Sequence, residues 1–183
     1  MAEWKGEPPV AVDTEAASFH RYHDRVYLIQ LSTPSATAVV DPLAVDNFDT
    51  LGALLADPAV EVVFHDADYD LRLLDRQYGF RPTRLFDTRI AAQLLNEPGV
   101  GLAALLEKYQ GVKLDKKYQR ADWSARPFKP GMLEYAALDT THLPALRGIL
   151  RDRLEEAGRL AWAMEEFSLL ERVRWNPAED GDL

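Results

Sequence analysis

The sequence predicts an α/β domain in which helices pack on a mixed β-sheet. Three observations carry that expectation. Short aliphatic or β-branched runs at 10–12, 26–31 and 36–40 stand early in the chain, separated by polar and turn residues as strands are. A fourth apolar run, 60–64, leads directly into a helical pattern. Beyond it helical periodicity continues to the end. In order, Ser32-Thr33-Pro34-Ser35 is hairpin-like and makes the first three strands an antiparallel meander. A helix over 48–55 presents Phe48, Leu51, Leu54 and Leu55 and ends near Asp57-Pro58. After the fourth strand, helices are predicted over 69–78, stopped by Gly79; over 88–95, with Asp87 as N-cap and a stop near Pro98-Gly99; and over 102–109, stopped by Gly111. Residues 112–129 form a long basic connection. A helix then runs from about 131 past Asp139, and a last helical stretch covers 144–173, where Pro144 and Gly158 can break it into pieces.

The 183 residues suit one domain, since roughly 100–200 residues is the usual unit. That domain is expected to span 1–175, with 176–183 a polar tail or severed linker. With no cysteine, disulfide scaffolds, thiolate zinc sites and cysteine nucleophiles are excluded. No apolar run approaches the roughly 20 residues of a membrane span. The first residues lack the basic and apolar regions of a signal peptide, so a cytoplasmic location is expected, and separately a monomer. Thirty acidic against 21 basic residues give a net charge of −9, which at first weighs against a nucleic-acid partner.

Three acidic clusters occupy matched places. Val12-Asp13-Thr14-Glu15 ends the first strand, and residues two apart on a strand share a face, so Asp13 and Glu15 can project together. Phe64-His65-Asp66-Ala67-Asp68-Tyr69-Asp70-Leu71 runs from strand into helix, at the carboxyl edge where open α/β sheets bind ligands. Within it Asp68 reads as an N-cap and Asp70 stands one turn in. Tyr135-Ala136-Ala137-Leu138-Asp139 places a phenol and a carboxylate four residues apart, on one helical face. Taken singly, each cluster also has a bland reading as polar strand end, dipole-complementing first turn or solvated helix face. Together, four carboxylates and a phenol without cysteine or a histidine pair suggest hard oxygen ligands suited to Mg²⁺ or Mn²⁺. Two such ions about 4 Å apart can activate a water and stabilise the leaving oxygen of a phosphodiester.

At this point the sequence resembles a known family. Asp13-x-Glu15, Asp70 and Tyr135-x-x-x-Asp139 are similar to the three motifs of the DEDDy 3′–5′ exonucleases. Within that group, Phe86-Asp87-Thr88, Leu114-Asp115-Lys116, Gln119, Asp122-Trp123 and Arg126-Pro127 resemble ribonuclease D. The resemblance runs in order over 10–162. It implies a ribonuclease H-like fold: a mixed sheet with an antiparallel N-terminal meander, flanked by helices. It implies that Asp13, Glu15, Asp70 and Asp139 hold two Mg²⁺ or Mn²⁺ ions, with Asp13 bridging, and that Tyr135 orients the attacking water. An unperturbed phenol, with pKa near 10, is a poor base at neutral pH, so a positioning role suits Tyr135. Thr14 and His65, inside the motifs, count as substrate-binding candidates together with Lys116, Gln119 and Arg126. One departure is that Ala16 stands where ribonuclease D usually carries a large aromatic, with Phe19 and Tyr22 downstream. His20, Arg21, His23 and Arg25 are expected to meet either nucleotide phosphates or surface water.

The connection agrees with a nucleic-acid partner. Residues 108–129 carry seven basic and two acidic side chains beside Tyr109, Tyr118, Trp123 and Phe128, and cations with aromatics suit a single strand. Trp123 is expected to be structural. The expected activity is metal-dependent 3′–5′ hydrolysis of single-stranded RNA 3′ ends, releasing nucleoside 5′-monophosphates. DNA, as in Werner-type or proofreading exonucleases, a short-oligoribonucleotide substrate, and a non-catalytic nucleic-acid-binding domain are the alternatives. Ribonuclease D chains usually continue into helical HRDC domains, and none is visible here.

Overall fold

The computed structural model describes residues 9–16, 25–115 and 117–176. Phe19, His20, Arg21, Tyr22, His23, Lys116 and the 177–183 tail lie outside the described residues. A five-stranded sheet is built from β1 (Val10–Ala16), β2 (Val26–Ser32), β3 (Thr37–Val40), β4 (Val62–Phe64) and β5 (Leu85–Asp87), in the order β3-β2-β1-β4-β5. The expected meander is present: β1 pairs antiparallel with β2 and β2 with β3, the turn closed by Thr33 N–H donating to Ala36 O at 2.8 Å. β4 runs parallel to β1 and to β5, so three strands end at one edge of the sheet.

The helices are α1 (Asp49–Ala56), α2 (Asp68–Tyr78), α3 (Thr88–Leu94), α4 (Leu102–Gln110), α5 (Met132–Thr141), α6 (Leu143–Glu156) and α7 (Leu160–Leu170). Gly79 and Gly111 end α2 and α4 in the left-handed conformation, which a glycine adopts without steric cost. The last helical stretch is two helices: Pro144 sits in the first turn of α6, and Gly158, at φ 66°, separates α6 from α7.

Alternation along the strands sends residues to two cores. Val10, Val12, Ile29, Leu31, Val62 and Phe64 pack against α1 and α2. Ala11, Val63 and Phe86 pack against α3, α4, α6 and α7. On that same second face α5 lies across β2, β3 and β1, packing its Met132 and Ala136 against Leu28. β5 is a strand the sequence pattern does not announce, because three residues leading straight into α3 carry no periodicity of their own. No helix among the described residues is long and apolar enough to cross a membrane.

Candidate active site

β1 changes character halfway. Val10, Ala11 and Val12 are buried, whereas Asp13 to Ala16 emerge at the carboxyl end of the central strand. Asp13 and Glu15 share the face of Ala11, toward α5, and Thr14 between them turns to the α2 side and donates a short hydrogen bond to Asp70 Oδ1. Asp70 reaches that edge because the chain turns sharply after β4. Asp66 takes a left-handed φ of 69°, which a short polar side chain tolerates, and α2 begins two residues later. The N-cap of α2 is therefore Ala67, not Asp68 as the sequence suggested. Asp68 instead pairs with Arg72 one turn on. The capping expected of Asp87 is present, and goes further. Oδ1 accepts from Arg89 and Ile90 N–H, and Oδ2 accepts from Ala67 N–H at 2.7 Å. One carboxylate thus ties both strand-to-helix turns.

α5 brings the third wall. Ala136 is fully buried against the sheet, so the helix approaches closely, and Thr140 is equally buried. Thr140 meets the Ser32 hydroxyl at 2.8 Å, Ser32 meets Thr37 at 2.9 Å, and Thr37 meets Thr141 at 3.1 Å. These hydroxyls fasten α5 to the β2–β3 hairpin beside Asp139. Carboxylate oxygens of Asp13, Glu15 and Asp139 then fall within 4.8 Å of one another.

The electrostatics follow from burial and like charge. Asp13 is pushed well up from the ordinary carboxylate range by burial, then by Asp70, Glu15 and Asp139. Glu15 is raised to about 8 by burial and by Asp139 and Asp70. Asp70 is raised to about 7, chiefly by burial, against hydrogen bonds from Thr14. Burial raises Asp139 to about 6. Only hydrogen bonds oppose the rise at Asp13 and Glu15, from Thr14 and Gln30 respectively. This all-oxygen, mutually repelling set fits a hard divalent cation, whose charge would relieve the repulsion. Tyr135 is driven up to about 12 by burial and by Asp139 and Glu15, so its phenol stays protonated and donates. Its ring stacks near Trp123, centroids 6.4 Å apart, and meets Tyr118 edge-on at 5.6 Å. Trp123, 1% exposed, takes the expected structural role.

A cleft of about 220 Å³ is lined by Asp13, Glu15, His65, Gln119, Tyr135 and Asp139, with Leu102 and Leu143 as apolar walls. His65 and Gln119 thus reach the site. Gln119 also borders a groove of about 530 Å³ lined by Lys117, Tyr118, Arg120, Ala121 and Lys129. Arg126 does not fit its expected contact with substrate. Its Nε and Nη2 grip Asp41, Nη2 also donates to Tyr27 O, and Nη1 donates to Trp123 O and Ala125 O. All five guanidinium protons are engaged, and the group lies 3.9 Å from the Phe128 ring centroid. Lys108 and Lys113 likewise pair with Glu97 and Glu107, so part of the basic surplus of the connection is neutralised internally. Ala16 ends β1 at a register shift, half-buried against the α1–α2 core.

Sequence reasoning missed Gln30, Leu102 and Leu143, and named Thr88 only within a family motif, with no role at the site. Gln30 is fully buried opposite Asp13 and donates to Glu15 Oε1 at 3.3 Å. A lone amide inside the apolar run Val26-Tyr27-Leu28-Ile29-Gln30-Leu31 was the available signal.

A family model described as 3′-5′ exonuclease matches residues 1–155. The chain belongs to this 3′–5′ exonuclease family. Within the family it is 39% identical over 166 residues to ribonuclease D of Granulibacter bethesdensis, covering 90% of this chain and 42% of that protein. The chain thus spans less than half the length of that curated relative. The crystal structure of Escherichia coli RNase D, described as an exoribonuclease involved in structured RNA processing, superposes with TM-score 0.87 at 32% identity, over 100% of this chain and 47% of that one. The catalytic core of RRP6 from Trypanosoma brucei gives TM-score 0.90 at 35% identity, over 95% and 48%. Brucella melitensis NrnC is similar over 92% of this chain and 84% of its own when bound to pGG, with TM-score 0.82 and 29% identity. It is also known with bound Mg²⁺. The mixed sheet and its flanking helices are the ribonuclease H-like fold of these exonucleases.

Proposed function

We propose that this chain is a divalent-metal-dependent 3′–5′ exoribonuclease domain that removes nucleoside 5′-monophosphates from single-stranded RNA 3′ ends. The observation that carries this is the convergence of Asp13, Glu15 and Asp139, with Asp70 beside them, in a cleft whose acids are opposed by hydrogen bonds alone. These four carboxylates would hold two Mg²⁺ or Mn²⁺ ions; bound there, the ions would supply an activated water and charge for the leaving oxygen. The chain's own groups do the rest. Thr14 fixes the Asp70 carboxylate and Gln30 that of Glu15. Tyr135, protonated through the neutral range, orients the attacking water by donating or accepting one hydrogen bond, and is not the base. Leu102 and Leu143 offer apolar walls to the terminal nucleotide, and the groove of Lys117, Arg120 and Lys129 takes the upstream phosphates.

The test is a set of 5′-labelled RNA and DNA oligomers incubated with Mg²⁺, Mn²⁺ or EDTA, with Asp139→Asn as control. A ladder shortening from the 3′ end, faster on RNA and absent in EDTA, is expected. Metal-independent cleavage, or full activity of Asp139→Asn, overturns the proposal. A second reading is favoured by the likeness in fold to the pGG-bound nuclease: the substrate is an oligoribonucleotide of a few residues. Turnover that falls steeply with oligomer length selects it.

A further inference from the structure

His65 follows β4 on the cleft wall, half-buried. Its Nδ1 lies 2.8 Å from the Thr88 hydroxyl. That hydroxyl has a single proton, and donates it to the buried Phe64 carbonyl at 3.2 Å. With its proton on that carbonyl, Thr88 accepts from the ring. That arrangement puts the imidazole proton on Nδ1 and leaves Nε2 a lone pair. Burial pushes the His65 pKa down, so the ring is neutral at pH 7. Among the described residues Nε2 has no hydrogen-bond partner, and it is not one of the sealed polar atoms of the interior. The cleft thus contains a fixed, neutral acceptor that asks for a donor.

Phosphate oxygens are acceptors and cannot satisfy it. Magnesium prefers the oxygen ligands already present. Base edges offer donors, but at positions that change with each nucleotide, whereas a ribose hydroxyl recurs at every step. We propose that His65 Nε2 accepts a hydrogen bond from a ribose hydroxyl of the 3′-terminal nucleotide, with Thr88 as the residue that sets the ring's tautomer; this rests on the exonuclease reading. If the hydroxyl is the 2′ one, His65 is a residue by which the cleft tells RNA from DNA.

The experiment compares adenosine 5′-monophosphate with its 2′-deoxy and 3′-deoxy forms by titration calorimetry in Mg²⁺. It is paired with hydrolysis of oligomers ending in the same three sugars. Wild type is expected to favour ribose over one of the deoxy forms by about tenfold, the worth of one buried hydrogen bond; which form suffers identifies the hydroxyl. His65→Leu brings that ratio close to one, His65→Gln restores part of it, Thr88→Val lowers it and Thr88→Ser keeps it. The ¹⁵N-detected imidazole spectrum of the free protein places the proton of His65 on Nδ1. Equal handling of all three sugars by wild type, an unchanged ratio in His65→Leu, or a proton on Nε2 overturns the assignment. Sugar-dependent binding without hydrolysis of any oligomer leaves this assignment standing and sinks the exonuclease reading instead. Absence of both sinks both.

Discussion

Glu61 and Glu97 are buried acids to which the fold brings cations, whereas Asp13, Glu15 and Asp139 are acids the fold brings to one another. Glu61, just before β4, is flanked by Arg147 of α6, an ion pair without hydrogen-bond alignment, and by Arg84 at 3.6 Å. Glu97 accepts from Lys108 Nζ at 2.5 Å and from the Tyr109 hydroxyl. Burial alone would raise Glu97, yet those partners hold it below the ordinary range. At the sheet edge the same burial goes unopposed by any such cation, and the carboxyls rise. A protein that can neutralise buried acids, and does so twice elsewhere, leaves one set to be neutralised by something it binds.

The sharpest way to break this contrast is to remove one acid from each group. Asp139→Asn should lower turnover on the order of 10³-fold while leaving the metal-free fold as stable as wild type or more so, because it removes repulsion. Glu61→Gln should do the reverse: it strands Arg147 in the interior and costs about 3 kcal/mol in urea unfolding, with kcat retained where the variant is folded. Loss of stability in Asp139→Asn matching that in Glu61→Gln would show that the two groups do not differ in kind.

Metal and pH sharpen it further. Acids whose folded pKa lies above the unfolded value bind more protons when native, so stability is full below the unfolded range near 4 and is lost as pH rises toward about 8, the value for Glu15. In EDTA the melting temperature should therefore fall between pH 5 and pH 8. Mg²⁺ at about a hundredfold excess over its Kd should return about 2.7 kcal/mol at pH 8, and Asp139→Asn should lose most of that response. A melting temperature that climbs over this interval in EDTA would contradict the repelling cluster. Tyr135→Phe should reduce kcat about 10²-fold with KM nearly unchanged, and its pH–rate profile should keep the wild-type shape below pH 9, since the phenol titrates only near 12. The smallest effect belongs to the hydroxyl contacts of α5. Thr140→Val should cost about 1 kcal/mol in unfolding, with Thr140→Ser close to wild type.

Much of this was legible from residues alone, and the exceptions share a cause. Strands β1 to β4, the glycine stops at Gly79 and Gly111, the break at Gly158 and the cap at Asp87 are local signals, written within a few residues of where they act. The pairing of Asp13 with Glu15 and of Tyr135 with Asp139 is also local, being strand and helix periodicity. What escaped depends on partners distant in sequence. β5 is a strand only because β4 lies beside it. Asp68 is no cap because the helix already starts from Ala67, whose N–H is held by Asp87 twenty residues on, and Asp68 pairs with Arg72 instead. Arg126 matches a family pattern, yet its charge is answered by Asp41 across 85 residues. Gln30 acquires meaning once the β1–β2 register sets it opposite Asp13.

The carboxylate of Asp87 has one more consequence, in time. Buried to 1% exposure and holding three backbone N–H groups from two successive strand-to-helix turns, it makes the cleft floor a single cooperative unit. The amides of Ala67, Arg89 and Ile90, although all lie at element ends that ordinarily fray, should exchange with solvent together and as slowly as the central strands. The wall formed by α5 is held by neutral hydroxyls instead. Opening of the cleft is therefore expected on the α5 side, while the floor tied by Asp87 stays fixed.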